Sequence, residues 1–205
     1  MGLPFDYAAR NLARRRLRTI LTAASTALVA ALFVAVSAFV RGLDATFSGA
    51  AREDTALLLS SAAERDVVRS TVDPGLASFV TADVPGVVAA SSEIHMGTTV
   101  SLPTGEQGPG FVRGVTADAY AVHDALTVTE GRLPGVGEVL VGRLVPRQLG
   151  LDETALAVGR TLEIEGASFT ISGHFVAPRT TLEAGLWTPL EPLRGLTQRD
   201  DSSVV

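Results

Sequence analysis

From Thr19 to Val40 the chain runs for 22 residues without a charge. At a helical rise of about 1.5 Å per residue this covers roughly 33 Å, the thickness of a bilayer hydrocarbon core. Such a run either crosses a membrane or is removed before the chain folds. A secretory signal carries an apolar stretch of only about 7–15 residues. Ser48-Gly49-Ala50 has the small-residue rhythm of a cleavage site but lies well past the run, after Arg41 and Asp44. Arg14-Arg15-Arg16-Leu17 lacks the Ser or Thr and the bulky pair that flank a twin-arginine signal. The run reads as a retained anchor.

Charge gives that anchor a direction. Residues 1–18 hold five arginines, Arg10, Arg14, Arg15, Arg16 and Arg18, against one acid, Asp6, a net +4. Residues 41–205 hold twelve arginines against 21 acids, a net −9. Arginines beside a first span stay in the cytoplasm. The expected organisation is a cytoplasmic amphipathic Arg-rich segment (1–18), a transmembrane helix (19–40) and an extracytoplasmic domain (41–205). Within 3–17, Leu3, Phe5, Ala8, Ala9, Leu12, Ala13 and Leu17 fall near helical spacing, so this segment would lie along the inner membrane surface. The plainer reading is a charge anchor and nothing more. In the span, Ala23, Ala27, Ala31 and Ala35 recur every four residues. Small residues at that interval allow a second helix to approach, although alanine is common throughout the chain.

Composition removes several functions. The exported part is acidic, which argues against nucleic acid. With no cysteine there is no disulfide framework and no thiolate metal site. With no lysine there is neither a Walker A loop nor a Schiff base to pyridoxal phosphate. No cofactor is therefore expected, and any ATP that drives the protein is bound by a separate ATPase subunit.

The pattern after Val40 is α+β, with one full core or two small subdomains. Arg41–Arg52 can continue the helix. Ala56–Ser60 reads as a buried strand. Asp73-Pro74 starts a helix that runs to about Ala82 and stops at Pro85-Gly86. Strands are expected at Val87–Ser91, Thr98–Leu102, Phe111–Val115 and Glu138–Val141. A short helix, Arg143–Leu149, ends at Gly150. Thr161–Glu165 and Phe169–Phe175 alternate strictly around Gly166-Ala167-Ser168 and form a hairpin. Leu186–Leu190 is a last strand. The closing Ser202-Ser203-Val204-Val205 looks like the start of another, so the domain is expected to be incomplete at its C-terminal end.

Catalytic patterns are sparse. His95, His123 and His174 lie far apart in sequence and form no ligand pair at helical spacing, so no metal site is expected. His174 shares a strand face with Thr170 and Ser172, away from Phe169, Ile171 and Phe175, and is expected to face solvent. Glu163 and Glu165 share a face that could serve as an acid/base pair but reads better as solvated. Gly131, Gly135 and Gly137 around Pro134 read as a turn. Trp187, the sole tryptophan, suits a core or a ligand groove. No nucleophile elbow is present, so no catalytic residue is assigned.

The order of parts carries more. ARNLARRRLRTILT enters the span. Then follow PGVVAAS, VRGV, EGRLPGVGEVLVGRLVPRQLGL, VGRTLEIEGASFTISGHF and LWTPLEPLRGL. This series resembles the first span and extracytoplasmic core domain of MacB-type, FtsX-like ABC transporter permeases, most closely over Glu130–Phe175. The resemblance implies a permease subunit in the cell inner (cytoplasmic) membrane, serving export or lipoprotein release. Its ATPase would drive movements of the exported domain. The family carries three further spans after that domain, which the present sequence does not include. The chain is therefore expected to be the N-terminal part of a permease. Its expected partners are an ABC ATPase subunit, the remaining permease helices or a second permease copy, and membrane lipid. The competing reading is a single-span anchored binding or adaptor module without transport activity.

Overall fold

The computed structural model describes residues 16–50, 54–63, 66–178 and 180–205. It divides after Ser48 into a helical unit and a sheet-rich unit. The expected interfacial helix over 3–17 lies outside the described residues except at its last two positions.

The helical unit is α1 (Arg16–Ala50), one unbroken helix of 35 residues. It contains the whole uncharged run. Leu21, Leu28, Leu32 and Phe33 are all exposed, as a helix surrounded by lipid requires. Arg16–Asp44 is long and apolar enough to cross a membrane. The hydroxyls of Thr22, Ser25 and Thr26 donate to the carbonyls of Arg18, Leu21 and Thr22 at 2.8–2.9 Å. The helix thus satisfies its own polar groups, which lipid could not.

The second unit is built on seven strands: β1 (Glu93–Ser101), β2 (Gln107–Val115), β3 (Thr127–Gly131), β4 (Glu138–Gly142), β5 (Thr161–Ile164), β6 (Ala167–Val176) and β7 (Gly185–Pro189). Their order is β3-β6-β4-β7-β2-β1-β5, and β5 also pairs with β6. The sheet therefore closes on itself through six strands, with β3 attached to the far half of β6. The β2–β7 and β4–β6 pairs are parallel and the others antiparallel. Five helices complete the described fold: α1, α2 (Leu76–Asp83), α3 (Ala119–Val122), α4 (Val145–Leu149) and α5 (Leu190–Thr197), with short 3-10 turns between them.

The central strands β4 and β7 are buried on both faces. Val139, Val141, Ile171 and Leu186 join Val145 of α4 and Leu190 and Leu193 of α5 in one apolar cluster. Leu140, Phe175 and Trp187 join Ala119 of α3 in a second. Neighbours along one strand, such as Leu186 and Trp187, fall into different clusters because strand side chains alternate. This arrangement also explains the strong β-branched content of β4, which has no wet face.

Several expected elements move. Ala56–Ser60 is not a strand, and Leu57 is exposed, although Leu58 exchanges backbone bonds with Val205. Val87–Ser91 is not a strand, and β1 begins at Glu93, five residues before the expected start. The helix after Asp73 starts at Leu76. The Asp73 carboxylate accepts from Gly75 N–H at 2.7 Å in a side-chain turn just upstream. The hairpin is as expected but tighter: Ile164 pairs with Ala167, and Glu165 and Gly166 both take positive φ, 51° and 76°. That geometry matches the strand twist in a two-residue loop. Gly150 closes α4 in the left-handed region, at φ 70°.

Residues 202–205 are buried. Ser202 bridges to Val72, and Val204 bridges to Glu93 on the edge of β1 that β5 leaves open. The strand character expected for this stretch is present, as isolated bridges rather than a full ladder.

Candidate functional site

The strand registry brings four chemically distinct side chains into one row. Glu93 and His95 are two apart on β1 and share a face. Arg113 of β2 lies opposite His95, and Trp187 of β7 lies opposite Arg113. The connector after α3 then lays His123 over the row.

Glu93 is the centre. Its Oε2 is 2.6 Å from Nε2 of His95, and its Oε1 is 2.7 Å from Nε2 of His123. Arg113 Nη1 donates to Oε2 at 3.3 Å and lies 3.2 Å from Nε2 of His95. Glu93 is 3% exposed and His95 4%. The rim is aromatic. Trp187 meets the rings of His123 at 5.2 Å, Phe175 at 5.8 Å and Tyr120 at 5.9 Å. The Arg113 guanidinium lies over Phe111 and Trp187 at 5.6 and 5.7 Å.

The charge state follows from these contacts. Burial alone would push the Glu93 carboxyl up. The hydrogen bonds from His123 and His95, with the neighbouring charges of His123 and Arg113, outweigh it and hold the group well below the usual carboxylate range. His95 moves down, chiefly because burial disfavours its cation, with the Arg113 charge adding to the effect against the Glu93 bond. Burial pushes the Tyr120 phenol up to about 12. The resting cluster is thus one carboxylate, one guanidinium and neutral imidazole at His95. The guanidinium stands 3.3 Å from Glu93 Oε2 and 3.2 Å from His95 Nε2, so the set favours internal ion pairing over metal ligation.

The sequence reading missed this cluster. The usable signal was Glu-x-His in SSEIHMG, which puts an acid and a base on one strand face. It was obscured because β1 was expected to begin at Thr98. The contribution of His123 from a connector 28 residues away had no local signature.

The residues singled out from sequence lie elsewhere. Ala23, Ala27, Ala31 and Ala35 form an exposed stripe on α1, with Arg16 and Arg18 at its first turn. Arg10, Arg14 and Arg15 lie outside the described residues. His174 does not face solvent as expected. It is half-buried, with Nε2 2.8 Å from the Leu156 carbonyl and Nδ1 3.3 Å from Glu130. Ser172, expected on the same wet face, is buried and donates to the Val139 carbonyl at 3.2 Å. Glu163 and Glu165 are exposed and border a shallow polar cleft with Thr98, Thr99 and Ser101, where the Thr98 hydroxyl donates to Glu165. The Gly131–Gly137 turn is clamped by Arg132, which is bidentate to Glu138 at 2.5 and 2.7 Å. Trp187 is fully buried, which makes it a core residue.

Residues 19–204 match the family described as MacB-like periplasmic core domain. The chain belongs to that family. The MacB-like fold recurs in two solved structures. One is the periplasmic region of MacB from Actinobacillus actinomycetemcomitans, at TM-score 0.56 and 11% identity, covering 71% of this chain and 69% of that one. The other is the extracellular domain of the noncanonic ABC-type transporter YknZ from Gram-positive bacteria, at TM-score 0.57 and 14% identity, covering 72% and 79%. No curated protein matches the chain. The MacB-like family is a domain of ABC-type transporter permeases. Here the matched region opens within an N-terminal helix long enough to cross a membrane.

Proposed function

We propose that the chain is the N-terminal part of an ABC exporter or lipoprotein-release permease. It would be held in the cytoplasmic membrane by α1, with Arg16 and Arg18 on the cytoplasmic side and the MacB-like domain outside. A separate ATPase would bind ATP, and its motion would reach the exported domain through α1. The observation that carries this reading is the continuity of α1. At about 1.5 Å per residue, its 35 residues extend roughly 52 Å, well beyond a hydrocarbon core of about 30 Å. A helix that leaves the bilayer unbroken transmits tilt and displacement, whereas a flexible linker would absorb them. The exposed Ala23–Ala35 stripe offers a close-packing face for another permease helix. The low-identity structural neighbours support the fold of the domain, and the transport role rests on the family together with α1. We assign no catalytic residue and no cofactor to this chain.

Purification from source membranes in mild detergent tests the proposal. An ABC ATPase and further permease helices are expected to co-purify. A monodisperse monomer free of ATPase would defeat it and favour the anchored binding module.

A further inference from the structure

We infer that residues 57–60, 70–73 and 199–205 form one separately opening joint, which ties the segment after α1 to the edge of β1 and comes apart while the closed sheet stays intact. Residues 202–205 run between two partners. On one side, Val72 and Ser202 exchange both backbone bonds at 2.8 and 2.9 Å, and Leu58 and Val205 exchange theirs at 2.7 and 3.3 Å. On the other, Glu93 N–H donates to the Val204 carbonyl at 2.9 Å, and Ser203 N–H donates to the Glu93 carbonyl at 2.7 Å. His95 N–H adds a bond to the Ser203 hydroxyl at 3.0 Å. Arg199 braces the strip: its guanidinium donates to Asp201 at 2.8 Å, to the Ser203 hydroxyl at 3.2 Å and to the Ser70 carbonyl at 3.3 Å. Ser60 N–H donates to the Ser70 hydroxyl at 2.9 Å, so 57–60 and 70–73 also hold each other. The next tie along the chain, from the Ser92 hydroxyl to the Pro74 carbonyl at 3.1 Å, bounds the joint.

The joint is held differently from the sheet. Val72, Val204 and Val205 are buried, yet they belong to neither apolar cluster of the sheet. The seam is lined instead by Ser70, Ser202 and Ser203, each fully buried, and the Ser202 hydroxyl has no partner among the described residues. Leu57, which a core would cover, is exposed. A seam of hydrogen bonds that shares little apolar surface opens at lower cost than a packed core. Its parts open together, because withdrawing 202–205 removes the bonds of Leu58, Val72 and Glu93 at once. Opening stops at β1, which keeps its full nine-residue pairing with β2. On the transport reading, closing the joint couples the chain after α1 to β1 and opening it uncouples them. That role rests on the function proposed above, whereas the opening itself does not.

The full chain in nanodiscs of neutral lipid, with no ATPase present, allows a direct test by amide exchange. Residues 57–60, 70–73 and 199–205 are expected to share one level of protection, about tenfold or more below that of β4 and β6. Arg199→Met removes three side-chain bonds and keeps an apolar stem. It should lower all three stretches together and leave β4 and β6 unchanged. Val72→Cys with Ser202→Cys acts in the opposite direction. Residues that exchange both backbone bonds stand about 5.5 Å apart at Cα, within reach of a disulfide. The chain has no other cysteine. Oxidation should raise protection about tenfold at 57–60, which the staple does not touch, and reduction should reverse the gain. Wild-type protection of the three stretches equal to that of β4 and β6 would overturn the proposal. So would three unlike levels, or a staple that protects 70–73 alone. The transport reading is tested separately, by co-purification of the ATPase.

Discussion

Glu93 is the residue on which the domain's polar interior depends. Removing its charge while keeping its shape takes from the largely buried Arg113 side chain its carboxylate partner. Breaking a buried pair this way costs about 3–5 kcal/mol. Glu93→Gln is therefore expected to lower the unfolding midpoint sharply in thermal melts followed by Trp187 emission. A variant within about 1 kcal/mol of wild type would show that Arg113 finds another partner. Acidity should act in two steps. His95 binds its proton less readily when folded, so below the ordinary value of 6.5 the unfolded chain takes up more protons and stability falls. Glu93 is likewise held ionised below its ordinary 4.5, so stability falls again as pH drops beneath that value. Unfolding measured from pH 8 to 3 should show stability rising with pH through both windows. A maximum near pH 5 would contradict the His95 assignment, and unchanged stability below pH 4.5 would contradict that of Glu93.

At the scale of elements, close approach and continuity matter most. Gly142 ends β4 against the 3-10 turn at Thr181–Ala184. A Cβ there would stand 2.3 Å from the Glu183 carbonyl oxygen. That turn is fixed by Arg143, which donates to Glu183 at 2.8 Å, so the backbone has little freedom to retreat. Gly142→Ala is expected to cost about 1–3 kcal/mol in denaturant unfolding. In α1, Leu43→Pro removes a helical bond and forces a kink just past the apolar run. Membrane insertion should persist, because residues 19–40 are untouched. Stimulation of a co-purified ATPase should be lost. Retained stimulation would mean that α1 does not carry the motion.

For the whole molecule, orientation is the first quantity to fix. The chain has no cysteine, so one introduced residue reports without background. Val136 is 85% exposed in the Gly131–Gly137 turn. In intact cells Val136→Cys is expected to react with a membrane-impermeant maleimide. Labelling only after lysis would reverse the topology.

The sequence by itself determined the long apolar helix, the β5–β6 hairpin and the glycine-closed helix α4. It also carried the family, through the order of its segments. Each of these rests on length, period or a local φ requirement, which neighbouring residues express without outside help. The start of β1 was not legible, because Ser91, Ser92 and Glu93 look like a polar loop until Val204 and Val115 pair with Glu93. Only the tertiary structure decided that the sheet closes through β5 and β6 and that His95, Arg113 and Trp187 stand in register. The same holds for His123, which reaches Glu93 from a connector. Register between strands distant in sequence is set by pairing and by burial on both faces, and no local pattern records it.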